Sequence, residues 1–178
     1  MPRILLTLSI VLFVSVYTSQ AQRYMRVSKF RLSGGPALGT ASNYNDPADG
    51  KAGVGINLGM EYVFHKQFSG ALSYTYFFTG SDIVKYFGVI NLDGRYYFLS
   101  EKRDSKVYLL LGLGNAKTVT KEPVVNGTID REDAETGLNL GLGYNHAFSK
   151  EWGYNVQAKY LTALEGQLVF NIGLIRSF

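Results

Sequence analysis

The sequence predicts an all-β fold, an eight-stranded antiparallel up-and-down transmembrane β-barrel. Hydrophobic side chains alternate with small or polar ones at a period of two through most of the chain, and no segment carries helical periodicity. The face opposite the apolar one is Gly, Asn, Ser and Ala rather than the Lys and Glu of a water-facing exterior. Aromatic residues collect at both ends of the alternating segments, where amphipathic rings meet a membrane boundary.

Residues 1–21 read as a secretory signal peptide, with Arg3 as the positive region, Ile4 to Tyr17 as the apolar stretch and Ser19-Gln20-Ala21 as the cleavage site. The apolar stretch is shorter than the ~20 residues that a spanning helix needs. The barrel domain is then residues 22–178. A first strand, around 25–37, is the least regular, with only Phe30 and Leu32 clearly paired. Strand two, 53–64, sets Val54, Ile56, Leu58, Met60, Tyr62 and Phe64 against Gly53, Gly55, Asn57, Gly59 and Glu61. Strand three, 68–79, sets Leu72, Tyr74, Tyr76 and Phe78 against Ser69, Ala71, Ser73 and Thr75. Strand four, 86–98, opposes Ile90, Leu92, Tyr96 and Phe98 to Asn91, Asp93 and Arg95.

Strand five, 107–117, alternates Val107, Leu109, Leu111 and Leu113 with Tyr108, Leu110, Gly112 and Gly114. Strand six, 135–148, alternates Leu138, Leu140, Leu142 and Tyr144 with Gly137, Asn139, Gly141 and Gly143. Strand seven, 151–161, opposes Trp152, Tyr154, Val156 and Tyr160 to Asn155, Gln157 and Lys159. Strand eight, 167–178, opposes Leu168, Phe170, Ile172 and Leu174 to Gln167, Asn171 and Gly173. Strands of this length cross a bilayer when tilted. Connections alternate short (65–67, 149–150) and long (38–52, 118–134), which puts the short turns and both termini on one side.

Composition narrows the chemistry. The chain has no cysteine, so disulfides, thiolate metal sites and a Cys nucleophile are excluded, and its two histidines leave little room for zinc or general-base catalysis. No cofactor is expected. The net charge of +4 is scattered and mixed with acids, without the basic stripe that nucleic acid requires.

The chain ends Asn171-Ile-Gly173-Leu-Ile-Arg176-Ser-Phe178. Asn171, Gly173 and Phe178 match the assembly signal of bacterial outer-membrane proteins, and Arg176 departs from it where a hydrophobic residue is usual. With the signal peptide, the chain resembles the small OmpA/OmpX-like outer-membrane barrels over nearly its whole length. The resemblance implies a monomer in the Gram-negative outer membrane, in contact with its lipid and lipopolysaccharide. It also implies periplasmic chaperones and the barrel-assembly machinery as partners during biogenesis. It does not specify activity, since this fold hosts many.

From strand two onward the predicted lumen carries Glu61, Asp93, Arg95 and Lys159, whose charges cancel. Arg95 is expected to bond both Asp93 and Glu61. Such a network serves either as an ion gate or as a structural plug, and an eight-stranded barrel is just wide enough to be filled by side chains. Near the outer end, Phe77, Val89 and Leu161 lie beside Gly53, Gly55, Gly112, Gly114 and Gly137, either as a small apolar pocket or as wall glycines that relieve crowding.

Asn126-Gly127 is a hairpin signal, so strands five and six are expected to continue beyond the membrane as a ribbon. Its edges could pair with another chain, or its charges could blunt them. The 38–52 loop, with Asn43, Asn45, Asp46 and Asp49, lacks the EF-hand pattern. His65 and His146 fall at the short-turn end, away from where an outer-leaflet enzyme acts, while Glu165 and Asp82 fall at the outer rim without further signal. The expected function is a non-enzymatic envelope barrel with a side-chain-plugged lumen and extracellular loops for surface interaction. The alternatives are a small channel for ions or apolar solutes, an outer-leaflet lipid-modifying enzyme, and a secreted lipocalin-like binder.

Overall fold

The computed structural model describes residues 29–40, 53–78, 84–98, 104–124, 127–163 and 166–178. The expected signal peptide, the loop residues Asn43, Asn45, Asp46 and Asp49, and Asp82, Asn126 and Glu165 lie outside the described residues. Eight strands are present: β1 (Phe30–Gly39), β2 (Gly53–His65), β3 (Phe68–Phe78), β4 (Val84–Tyr97), β5 (Ser105–Val124), β6 (Gly127–Ala147), β7 (Trp152–Leu161) and β8 (Gln167–Ser177). Each pairs antiparallel with its sequence neighbours, and β8 closes on β1. Closure removes every free edge within the wall, as lipid demands.

The alternation decides which face is which. On successive residues of β4 and β6, Leu92 and Leu140 are each 62% exposed, whereas Asn91 and Asn139 are fully buried. The apolar face therefore points outward and the polar face inward, the reverse of a lipocalin-like barrel. At the ribbon end of the outer face, the Tyr74 and Tyr86 hydroxyls meet at 2.5 Å above Gly88, part of the aromatic belt read from the sequence.

Strand limits differ from expectation mainly at β1 and β5–β6. The first strand runs from Phe30 to Gly39 rather than 25–37. β5 and β6 pair without a break from Ser105↔His146 to Val124↔Gly127. β4 stops pairing with β5 at Val84↔Thr120, and β7 stops pairing with β6 at Asn139↔Leu161. The hairpin therefore continues past its neighbours as the expected ribbon. Gly127 begins its return strand at φ +153°.

Candidate functional site in the barrel lumen

Inward-facing side chains stack in layers along the barrel axis. Nearest the short turns, the Glu61 carboxylate sits among donors from three other positions. Arg95 Nη1 donates to its Oε2 at 3.1 Å, Arg31 Nη1 to its Oε1 at 3.4 Å, and Tyr97 Oη to Oε1 at 2.5 Å. Arg95 Nη2 donates to Gln157 Oε1 at 3.1 Å, and its guanidinium lies 4.8 Å from the Tyr108 ring centre. Tyr108 Oη also donates to Gln157 Oε1, at 3.0 Å, and accepts from Asn155 Nδ2 at 2.8 Å. The bulk of this layer is accommodated by small residues on facing strands. A Cβ on Gly143 would fall 2.0 Å from the Tyr108 ring. Glycine there is a consequence of close packing rather than of turn geometry.

Above it lies a second polar layer. Asp93 Oδ1 accepts from Asn139 Nδ2 at 2.8 Å, and its Oδ2 stands 3.7 Å from Lys159 Nζ. Asn139 Nδ2 also donates to Asn91 Oδ1 at 3.0 Å. The expected bond between Arg95 and Asp93 is absent. Inward neighbours on one strand are separated by about 6.6 Å, and each side chain turns to a nearer opposite charge: Arg95 to Glu61, Asp93 to Lys159. Glu61, Asp93, Arg95 and Lys159 all face the lumen, but in two groups rather than one.

Sequence reasoning missed Arg31, which is buried at 7% exposure beside Glu61. The signal was available, because outward Phe30 and Leu32 place Arg31 inward; the irregularity of β1 obscured it. With Arg31 of β1 counted, the two layers hold three cations (Arg31, Arg95, Lys159) against two carboxylates (Glu61, Asp93), while the four charges from β2 onward cancel as expected. Asp104 and Lys106, buried at the short-turn end, offset one another.

Toward the ribbon the interior becomes apolar. Ala37, Phe77, Phe87, Val89, Ala116, Leu161, Ala163 and Val169 form one buried cluster, with the Phe77 and Phe87 rings 5.5 Å apart. Phe77, Val89 and Leu161, considered as pocket walls, are packed against one another and against these partners.

On the ribbon, Lys85 Nζ reaches both Asp130 oxygens at 2.5 and 2.6 Å, and Lys117 pairs with Glu132 at 2.5 Å. Arg131 bridges Glu122 at 3.0 Å and Asp133 at 3.3 Å, and these carboxylates hold its guanidinium still more firmly protonated than usual. Ile129 is exposed among them. His146 Nδ1 lies 2.9 Å from Ser105 Oγ at the short-turn end, and His65 is exposed beside Phe68. Among the described residues, no group of His, Asp and Glu is placed to hold a metal.

At the C-terminus Asn171 faces the lumen, Gly173 lies against the β1 backbone, and the Phe178 ring rests 6.2 Å from Phe30. Arg176 spreads over the Trp152 and Phe178 rings at 5.5 and 5.0 Å and lies 3.8 Å from Glu151. Its cation thus stacks on the aromatic belt.

Residues 9–174 match the family described as outer membrane protein beta-barrel domain. The chain belongs to this family. Membership implies the Gram-negative outer membrane, spanned by strands. Neisserial surface protein A is similar at TM-score 0.67 and 16% identity, over 85% of this chain and 98% of that one. The N-terminal barrel domain of Pseudomonas aeruginosa OprF gives TM-score 0.59 and 16% identity, over 85% and 98%. Ail, the attachment invasion locus protein of Yersinia pestis, solved with the heparin analogue sucrose octasulfate, gives 0.59 and 19%, over 84% and 97%. At these identities the likeness is one of fold. Nothing among curated proteins matches the chain.

Proposed function

We propose that this protein is a non-enzymatic outer-membrane barrel whose lumen is closed along its axis by its own side chains, and which acts through its extracellular ribbon and loops. The observation that carries this reading is the succession of filled layers: the Glu61–Arg95–Tyr97 network, the Asp93–Lys159–Asn139 layer and the Phe77–Phe87–Leu161 cluster. An ion on the axis would have to displace both charged networks and the apolar cluster.

Surface interaction is supported by the ribbon, which rises beyond the pairing of β4 and β7. Its outer strand edges offer backbone donors and acceptors to an added strand, tempered by the charges that line them. Export by cleavage after Ala21, assembly through Asn171, Gly173 and Phe178, and contact with lipopolysaccharide complete the proposal.

Planar-bilayer recording tests the closed lumen. Wild type is expected to give no conductance steps. Arg95→Ala is also expected to stay closed, because the apolar cluster stands above it, whereas adding Phe77→Ala and Phe87→Ala opens a path. Steps in the wild type would establish the channel alternative instead. Trimming the ribbon between Val119 and Glu132 is expected to leave a folded barrel that no longer adheres to surfaces the full protein binds. Altered lipid A masses on overexpression would point to an enzyme.

A further inference from the structure

The seam that closes the barrel is incomplete. β1 and β8 pair from Arg31↔Ser177 to Gly34↔Leu174 and again from Ala37↔Asn171 to Gly39↔Val169, in one register. Between these stretches, Gly35 and Pro36 face Ile172 and Gly173 without pairing. The bonds Phe178 N–H to Phe30 and Thr40 N–H to Leu168 mark the even positions of β1 as its bonding positions toward β8. Pro36 occupies one of them and has no N–H, so the ladder loses a bond where lipid supplies no substitute. The backbones are also pressed close, since a Cβ on Gly35 would fall 2.1 Å from the Ile172 carbonyl oxygen.

Beside this gap the lumen wall carries unused polar groups. Asn171 makes no hydrogen bond through either amide atom; nor does Gln167, and Lys159 Nζ makes none. These side chains are at least nine-tenths buried, and Lys159 stands opposite Val169, with Gln167 and Asn171 two residues to either side of Val169 on β8. Buried polar groups without partners are costly, and each needs a reason.

We infer that the β1–β8 seam parts within the membrane to admit the head of a long-chain carboxylate, which is seated against Lys159, Asn171 and Gln167 while its tail stays in the bilayer past Pro36 and Ile172. A carboxylate supplies acceptors to Lys159 Nζ, Asn171 Nδ2 and Gln167 Nε2, donors that have no hydrogen-bond partner. The interrupted ladder lowers the cost of opening there rather than elsewhere in the wall. The site is entered sideways, so it holds whether or not the axis conducts.

The test is photolabelling in vesicles with a fatty acid that carries a diazirine close to its carboxylate. Labels on Lys159, Val169 and Asn171, which face inward, are expected in wild type. Pro36→Val restores the missing donor and is expected to lower that inward labelling about fivefold, the effect of one ladder hydrogen bond on an opening equilibrium. Outward labels on Phe170 and Leu174 are expected to stay constant. A Ser33→Cys, Ile175→Cys pair, opposed across the seam in a chain without cysteine, closes it by a disulfide. Reduction of the same folded sample then restores inward labelling. Labels confined to outward positions, or inward labels that ignore both Pro36→Val and the disulfide, would overturn the lateral site. Conductance is read separately, so the closed-axis proposal fails or stands on its own result.

Discussion

Glu61 and Arg95 meet at 3.1 Å across the lumen from β2 and β4, strands that do not pair with each other. The contact ties the barrel together across its interior, where neighbouring-strand bonds cannot reach. Its second cation, Arg31, comes from β1.

Glu61→Leu leaves Arg31 and Arg95 buried without their anion, and the expected cost is about 3–5 kcal/mol. Glu61→Leu with Arg95→Met removes one charge of each sign and is expected to recover much of it. Urea unfolding in lipid vesicles, followed by Trp152 fluorescence, gives the comparison. Equal stability of the single variant and the pair would show that the ion pair does not organise this layer.

Gly143→Ala places a methyl group where the Tyr108 ring sits. Overpacking of this kind costs about 1–3 kcal/mol. Tyr108→Leu in the same chain is expected to relieve the clash, so the two substitutions should be less than additive in the same unfolding assay.

Gly166 adopts φ +82°, with the Tyr160 hydroxyl 2.0 Å from where a Cβ would stand. Gly166→Ala is expected to cost about 1–2 kcal/mol, since an L-residue is strained in left-handed backbone. Tyr160→Leu relieves the contact but not the backbone strain, so refolding midpoints should remain low in the double variant.

Asp130→Asn breaks the salt bridge to Lys85, which joins β4 to the ribbon. Exposed pairs add little to global stability and weaken with salt. Barrel unfolding is expected to be unchanged, while amide exchange over Lys117–Glu135 rises. High salt should produce the same rise in the wild type and little more in the variant.

Gel mobility with and without boiling gives the plainest check of the fold. The unboiled protein in mild detergent is expected to run as a compact band that shifts on heating.

Much of this was legible from local pattern. Period-two alternation is a property of one strand at a time, so Leu138 to Tyr144 betray their inward and outward faces without knowledge of any partner. The ribbon was legible for the same reason, because Asn126-Gly127 specifies its turn locally. Arg31 was missed because β1 contains Gly34, Gly35 and Pro36, which blur the alternation. Among the lumen charges, facing could be read but pairing could not. Whether Arg95 meets Asp93 or Glu61 depends on strand stagger and on lumen width, which no single strand encodes.

The sequence by itself therefore determined the strands, the side each residue faces and the membrane as solvent, since these follow from backbone geometry and hydrophobicity read residue by residue. Only closure of the barrel decided the rest. Bringing β8 onto β1 set the seam at which Pro36 meets Ile172, and it split the lumen charges into Arg31–Glu61–Arg95 and Asp93–Lys159. Those contacts join residues far apart in the chain, and electrostatic partners are chosen by distance in space.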